Sequence, residues 1–330
     1  MKVLVTGGAG FIGSHLCDTL LARGYEVSCI DNLSKGSMNN IKHNLGNDKF
    51  KFTNIDILDR EMLFSTATGI DVIVHLAASK IPRYSNAIYT LLLNSQGAIN
   101  ILDLARISGA KVLVASTSDV YGKSTDFPFR EDGDLVLGPS VVRRWGYAIS
   151  KLFDEHLAYA YEDQYNLRVV ILRFFGTYGE RQHLNWWGGP QGVFLEAIFN
   201  NKPVEIHGDG RQTRCFIYVK DAVEATLRAI ENEKCVGEIV NIGTQEEISI
   251  LDLARLMHQL SGVTYEFRAQ YVPYSSFSKS YEDVMKRSPS IKKMESLLGY
   301  KPTTKLSEGL GRLMEWYRNE KQSCTITHGN

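Results

Sequence analysis

The sequence has no excess charge of either sign. Its 330 residues include 37 Lys and Arg and 37 Asp and Glu, so the formal net charge is zero. Without a charge excess or a block of like charges, there is no electrostatic reason to expect nucleic acid or an anionic membrane as a partner. With 44% apolar and 22% charged residues, the composition excludes a disordered or fibrous chain. Small molecules are therefore the expected ligands.

Cysteine is scarce, and long hydrophobic runs are missing. The five cysteines lie far apart, with no Cys-x-x-Cys pair and no His at metal-ligand spacing, so we expect reduced thiols and no metal site. The uncharged stretch 86–102 carries polar side chains that would each cost free energy in hydrocarbon, which predicts a soluble helix. Residues 1–6 lack the regions of a signal peptide, which predicts a cytoplasmic protein.

Short β-branched runs alternate with helical stretches along the first half of the chain. This alternation predicts an α/β fold with a doubly wound parallel sheet covered by helices on both faces. After about residue 175 the pattern loosens, which predicts a smaller C-terminal α/β domain. We place the domains at 1–175 and 176–330, allow the chain to cross between them, and expect a loose tail over 322–330. The predicted strands are Val3–Thr6, Val27–Asp31, Val72–His75, Val112–Ser116 and Val169–Leu172, and the predicted helices are Phe11–Arg23, Ile88–Ser108, Tyr147–Tyr165, Ser249–Ser261 and Ser307–Asn319.

A glycine-rich turn follows the first predicted strand. Gly7, Gly10 and Gly13 allow a tight turn and a close approach of the backbone to a pyrophosphate, which the helix start attracts. Asp31 ends the second strand 18 residues after Gly13, where a carboxylate can bind both hydroxyls of an adenosine ribose. Because that charge would repel a 2′-phosphate, the pattern favours NAD over NADP. The alternative is a tight turn beside a solvent-facing Asp.

Tyr147 and Lys151 are four residues apart and so lie on one face of a helix. A cation beside a phenol lowers the phenol pKa from about 10, which makes the phenolate a base for a sugar hydroxyl. Alone, such a pair is more often an exposed helical pair. The hydroxyl-rich segment Ser116–Gly122 strengthens the catalytic interpretation, because it follows a strand at the edge of the sheet where doubly wound folds bind ligands.

Taken in order, these motifs resemble those of the extended short-chain dehydrogenase/reductase family, in its nucleotide-sugar epimerase, dehydratase and decarboxylase branch. The resemblance covers about residues 1–320 and implies a Rossmann-like NAD domain followed by a nucleotide-sugar-binding domain. It also implies a homodimer in which the helices over 88–108 and 147–165 pair with those of the partner. The motifs that carry it are Thr6–Gly13, Asp31, His75–Ala78, Asn94, Ser116–Gly122, Tyr147 with Lys151, Arg173–Phe175, Gly208–Arg214 and Asn241–Gly243.

The resemblance assigns roles to individual residues. Thr117 would hydrogen bond O4 of a nucleotide sugar, and Tyr147 would be the base. Lys151 would hold the nicotinamide ribose. Asp119 would serve a later step in the reaction. The implied substrate residues are Lys80, Ser118, Arg214 and Arg287, of which the arginines would hold the diphosphate of a UDP-linked sugar. The implied NAD residues, besides Tyr147 and Lys151, are Gly7, Gly10, Phe11, Ile12, Gly13, Asp31, Asn32, Asp56, Ile57, Leu76, Ala77, Ala78 and Asn94.

Three reactions can follow oxidation of the sugar at C4. Family 4,6-dehydratases carry Thr-Asp-Glu where this chain has Thr117-Ser118-Asp119, so dehydration ranks third. UDP-glucuronate decarboxylases carry Thr-Ser-Glu, of which Asp119 is a shorter version. The segments Arg144–Tyr147 and Tyr281–Ser290 also resemble a decarboxylase domain. A 4-epimerase needs only Thr117, Tyr147 and Lys151. We favour UDP-glucuronate decarboxylation, with UDP-hexose 4-epimerisation as the alternative and a simple dehydrogenase or reductase behind both.

One position departs from the family pattern. Gly176 stands where the family has an Asn whose amide reaches the substrate, so either the substrate is recognised differently or a larger substituent fits. The segment 183–191, with Trp186 and Trp187, either supplies replacement contacts or packs the loop down.

Overall fold

The computed structural model describes residues 1–66, 68–80, 87–276 and 282–327, with side chains through residue 322. In chain order the strands are β1 (Lys2–Thr6), β2 (Glu26–Asp31), β3 (Phe50–Asn54), β4 (Val72–His75), β5 (Lys111–Thr117), β6 (Val169–Phe174), β7 (Gly176–Tyr178), β8 (Val204–His207), β9 (Thr213–Tyr218), β10 (Glu238–Ile242), β11 (Glu247–Ser249), β12 (Ala269–Val272) and β13 (Lys286–Arg287). The helices are α1 (Phe11–Ala22), α2 (Arg60–Ser65), α3 (Ala87–Ser108), α4 (Trp145–Tyr165), α5 (Pro190–Phe199), α6 (Val219–Glu231), α7 (Ile250–Ser261), α8 (Lys292–Leu298) and α9 (Leu306–Thr327).

A seven-stranded parallel sheet organises the fold, in the order β10-β6-β5-β4-β1-β2-β3. Because side chains alternate across a strand, Val3 and Val5 of β1 face one core with Leu16 of α1. Leu4 faces the other core with Ile101 of α3. Both faces of the sheet are therefore buried, as the α/β prediction requires.

The functional crevice follows from the strand order. From β1, the chain proceeds to β2 and β3 on one side, and the later strands β4, β5 and β6 lie on the other. Ligands bind at such a switch point, outside the carboxyl ends of the strands. A cavity of about 600 Å³ opens there.

A small sheet built around β9 also lines this cavity. β7 and β13 both pair in parallel with β9, and β11 pairs with it antiparallel. The register places Arg287 beside Arg214 and Gly176 beside Phe216. Residues far apart in sequence are thus brought together by strand pairing.

The predicted fold class is confirmed, and the predicted helices and strands are present within three residues at each end, except at the end of the chain. There, α9 continues to Thr327. The prediction of a loose tail over 322–330 is therefore wrong for residues 322–327. Within the large sheet, β3 and β10 have no counterpart among the predicted strands, and β10 returns the chain to this sheet. The strands of the smaller sheets have no predicted counterpart either. The division at residues 175 and 176 stays a prediction. Among the described residues, no helix has the length and apolar character needed to cross a membrane.

Candidate active site

The turn between β1 and α1 leaves the amino end of α1 open. Gly7 has a φ of +69°, and a Cβ there would lie 2.9 Å from the backbone nitrogen of Ala77. A Cβ at Gly13 would lie 2.2 Å from the carbonyl oxygen of Gly7. Gly10 precedes the helix, and no described side chain caps it. The free N–H groups and the helix dipole therefore fit a dinucleotide pyrophosphate.

Two carboxylates lie beyond this turn. Asp31 accepts hydrogen bonds from the backbone nitrogens of Ala9 at 3.0 Å and Leu33 at 2.8 Å. Burial raises the pKa of Asp31. Asp56 accepts from Nδ2 of Asn32 at 2.8 Å. Asp31, Asn32 and Asp56 all line the cavity, so they are within reach of the adenosine part of a dinucleotide.

Asn94 lies behind the cavity wall. Its Nδ2 donates to the carbonyl of Ser79 and to Oγ of Ser150, both at 2.9 Å, and its Oδ1 accepts from the backbone nitrogen of Ser79 at 2.8 Å. Both of its donors are thus used to tie α3 and α4 to the loop after β4. Asn94 is not among the residues that line the cavity, and its direct contact with a cofactor stays a prediction.

Tyr147 lies in the first turn of α4, and Thr117 at the end of β5 is close enough to its hydroxyl to lower its pKa slightly against larger opposing effects. We expected Lys151 to lower the pKa of Tyr147, but the structure differs. Burial raises the pKa of Tyr147, and the negative charges of Asp119 and Asp154 raise it further. The ammonium of Lys151 lies 2.8 Å from Oδ2 of Asp154, so its positive charge is already paired.

Arginines surround Asp119, one turn beyond the end of β5. Arg287 forms an ion pair with Oδ1 of Asp119, and Nη2 of Arg144 lies 3.7 Å from the same oxygen. Asp283 lies 2.9 Å from Arg144 and 3.2 Å from Arg214. Burial opposes ionisation of Asp119, but Arg287 and Arg144 together lower its pKa. Among the described side chains, this arginine cluster holds three guanidinium groups against two carboxylates, an excess of one positive charge.

Lys80 adds a further cation to the cavity wall. Burial lowers the pKa of Lys80 to about 8, with Asp119 acting in the opposite direction. Among the described residues, no carboxylate lies within ion-pair distance of its ammonium. The wall near Asp119 therefore attracts negative charge.

Gly176 lies on the same small sheet as Arg214, and the tryptophan loop lines the same cavity. A Cβ at Gly176 would lie 2.7 Å from Cδ1 of Phe216, so the ring of Phe216 lies close to where an Asn side chain would begin. The Trp186 ring stacks on His207, with centroids 4.0 Å apart. The ammonium of Lys35 lies 4.5 Å from the centroid of the Trp187 ring. The loop thus packs against its neighbours and lines the cavity at the same time.

One cavity brings together nearly all the predicted site residues. Besides Asn94, the predicted residues all line it: Gly7, Gly10, Phe11, Ile12, Gly13, Asp31, Asn32, Asp56, Ile57, Leu76, Ala77, Ala78, Lys80, Thr117, Ser118, Asp119, Tyr147, Lys151, Arg214 and Arg287. The sequence reasoning gave no role to Asp154, although it lies three residues after Lys151 and therefore on the same helix face. It gave no separate role to Asp283 either, and nothing in its local sequence indicates its partners.

Comparisons with known proteins identify relatives of this chain. Residues 3–243 match the NAD dependent epimerase/dehydratase family. The UDP-N-acetyl-alpha-D-glucosaminuronate decarboxylase of Bacillus cytotoxicus is 38% identical, over 96% of this chain and 98% of its own length. UDP-glucuronic acid decarboxylase 1 of Xenopus tropicalis is 37% identical, over 97% of this chain and 72% of its own length. The UDP-glucuronic acid 4-epimerase of Bacillus cereus, solved with UDP-glucuronic acid and NAD, superposes with a TM-score of 0.86 at 32% identity, covering 97% of this chain and 100% of the other.

Proposed function

Because the chain belongs to the NAD dependent epimerase/dehydratase family, we propose that it oxidises C4 of a UDP-linked uronate and removes the sugar carboxylate as CO2. The observation that carries this proposal is the excess positive charge of the arginine cluster next to Thr117 and Tyr147. Every UDP-sugar brings a diphosphate, for which the resemblance implies Arg214 and Arg287. Arg144 and Lys80 are further cations for which a neutral hexose supplies no anion. A uronate brings a second anionic group, and guanidinium groups bind carboxylates well.

Thr117 and Tyr147 act on O4 of the sugar in this proposal. NAD, when bound at the turn between β1 and α1, supplies the hydride acceptor for C4 and returns the hydride at the end. Thr117 orients O4, and Tyr147 takes the O4 proton and later returns it. Lys151 is the cation nearest this exchange along α4 and would hold the nicotinamide ribose. This assignment is supported by the position of Tyr147 and Thr117 together in the cavity, where Thr117 acts on the pKa of Tyr147.

The arginine cluster serves the step that follows. Once C4 is a ketone, the bond between C5 and C6 breaks, C6 leaves as CO2, and its electron pair forms an enolate across C4 and C5. One proton must then reach C5. The substrate carboxylate would compete with Asp119 for Arg287. Released from Arg287, Asp119 loses the largest of the arginine interactions that lower its pKa. It can then take a proton from solvent water and pass it to C5.

The substituent at C2 of the sugar distinguishes the two candidate uronate substrates. Of the two decarboxylase relatives, one is named for an N-acetylglucosaminuronate and one for glucuronate. Gly176 offers no side-chain amide, and the neighbouring wall is the apolar ring of Phe216. We therefore include both uronates as candidate substrates and propose glucuronate first.

The second candidate is a 4-epimerase that keeps the carboxylate. It is favoured by the superposition on the Bacillus cereus UDP-glucuronic acid 4-epimerase, and it would use Thr117, Tyr147 and Lys151 without a proton transfer to C5. The two reactions share their first step and their anionic substrate. They differ in whether mass is lost.

Mass spectrometry of the products separates these candidates. Purified protein is incubated with UDP-glucuronate, UDP-N-acetylglucosaminuronate and UDP-glucose, with the Tyr147→Phe variant as the inactive control. Loss of CO2 from either uronate supports the proposal. An unchanged mass with inverted C4 supports the epimerase, and loss of water supports a dehydratase.

We also propose that the protein is a homodimer that pairs through α3 and α4. Leu92 of α3 is 61% exposed, and Ile149 and Phe153 of α4 are 44% and 45% exposed. Apolar side chains grouped on two neighbouring helices are typical of an interface. Light scattering tests this: a mass near the monomer's 37.1 kDa at micromolar concentration would contradict the dimer.

A further inference from the structure

We propose that Asp154 is a positioning residue that holds the ammonium of Lys151 in place and keeps it protonated. The inference rests on the proposed role of Lys151 beside Tyr147. It assigns a function to a buried acid on α4 that the proposed reaction does not otherwise use.

The contacts of Asp154 point to this one task. Its Oδ2 lies 2.8 Å from Nζ of Lys151, and the two side chains are 0% and 3% exposed. The other oxygen, Oδ1, is buried without a hydrogen-bond partner among the described residues. Glu155, the next residue, instead binds Arg173 and Ser116. Asp154 is therefore separate from the ion pair that secures α4 to β5 and β6.

A buried lysine needs such a partner to stay charged. Burial disfavours the protonated form of a lysine, and an opposite charge in direct contact restores it. Among the described residues, Asp154 is the only carboxylate in ion-pair contact with Lys151. The positive charge acts toward β4 as well, because burial and Lys151 together lower the pKa of His75 to about 3. His75 is thus neutral across the physiological range and does not compete for the carboxylate.

The same geometry fixes where the ammonium lies. The pair joins residues three apart on one helix, so Lys151 is tied to the helix that carries Tyr147 and follows any movement of it. Asp154 also adds to the raised pKa of Tyr147, together with burial and Asp119. The negative charge of Asp154 raises the pKa of Tyr147, whereas the lysine charge that Asp154 maintains acts in the opposite direction. The protonation of Lys151 itself is therefore the quantity to measure.

Pulse acetylation followed by peptide mass spectrometry reports that quantity, because only neutral amines react. The parent, Asp154→Asn and Asp154→Glu are labelled from neutral to strongly alkaline pH. Lys80, in the same cavity, is the internal control for access of the reagent. Glu233→Gln is the matched control variant, because it removes the carboxylate partner of another buried lysine, Lys111.

We expect the pH of half-labelling of Lys151 to fall by at least about one unit in Asp154→Asn. In Asp154→Glu and Glu233→Gln it should stay at the parental value, and Lys80 should be unchanged in all variants. Equal labelling of Lys151 in the parent and in Asp154→Asn would overturn the proposal.

Asp154→Glu tests the positioning role separately and remains usable if the Asn variant does not fold. The longer side chain keeps the charge but displaces the ammonium, so NAD should bind several-fold more weakly to stripped protein. Parental affinity would contradict positioning. The labelling needs no substrate, so it is independent of the proposed reaction, which fails instead if Tyr147→Phe turns over like the parent.

Discussion

The cofactor turn and the arginine cluster are two walls of one cavity that are built in different ways. The turn uses the backbone of one short segment, where Gly7 and Gly13 leave no room for a Cβ. The cluster uses side chains from four separate segments, joined by ion pairs such as that between Arg214 and Asp283. The first wall is a local property of the sequence. The second exists only after β9 and β13 have paired.

The two walls differ in the property that each would provide: the turn binds the cofactor, and the arginine cluster selects the substrate. The turn and Asp31 fit any dinucleotide of the right charge, and so they do not distinguish one member of the family from another. In the proposed reaction, the cluster would select the sugar and carry out the step that follows C4 oxidation. Tyr147 lines the cavity that both walls enclose, and the charge of Asp119 in the cluster raises its pKa.

The largest effect is expected at Tyr147, which lines the cavity between the two walls. In Tyr147→Phe, loss of the hydroxyl should slow cofactor reduction about 10²–10⁴-fold, the usual contribution of a positioned acid or base. Stopped-flow absorbance of the reduced cofactor measures it, and NAD affinity should be nearly unchanged. A parental rate would remove Tyr147 from the mechanism.

The next variant separates the chemistry of the cluster from that of the turn. Asp119→Asn keeps the size of the side chain but cannot carry a proton, so CO2 release from UDP-glucuronate should fall about 10²-fold. Cofactor reduction should persist, since C4 oxidation does not need Asp119. If both steps slow equally, Asp119 acts on binding or folding instead.

A smaller effect should appear in substrate choice. Arg144→Gln removes one cation from the cluster, so the preference for UDP-glucuronate over UDP-glucose should fall about 10- to 100-fold, as expected for a hydrogen-bonded charge. Competitive binding of the two sugars measures this preference. Arg211→Gln is the control, because that side chain is 84% exposed and pairs only with Asp209 among the described residues.

The smallest effect concerns the turn. Asp31→Ala should weaken NAD binding about 10-fold by removing an ionised acceptor. It should also reduce the ratio of the affinity for NAD to that for NADP. Titration of stripped protein with each cofactor measures both, with Asp48→Ala as a surface control. An unchanged ratio of affinities would show that a residue other than Asp31 discriminates between the two cofactors at the ribose.

The same contrast explains how far the sequence could be interpreted. The strand, turn and helix around Gly7 to Gly13 and the spacing of Tyr147 and Lys151 are local patterns, and the structure brings these residues together as predicted. Family resemblance extended the prediction to Arg214 and Arg287. It did not indicate that they lie side by side, which depends on the register of β13 on β9.

Other features needed the three-dimensional structure. The raised pKa of Tyr147 comes from burial, which helical spacing alone does not show. Asp283 reaches Arg144 across 139 positions of sequence. Asn94 has the residue type expected of a ligand contact, yet its donors bind Ser79 and Ser150.

The central claim is that the excess charge of the arginine cluster serves a carboxylate that leaves as CO2. The most direct test is to incubate the purified protein, loaded once with NAD and freed of excess cofactor, with UDP-glucuronate labelled with carbon-13 at C6. The account predicts labelled CO2 in amounts well above the enzyme concentration, since the cofactor is regenerated in each cycle, and an unlabelled UDP-pentose. Retention of all label in a UDP-uronate with inverted C4 would contradict it and establish the 4-epimerase.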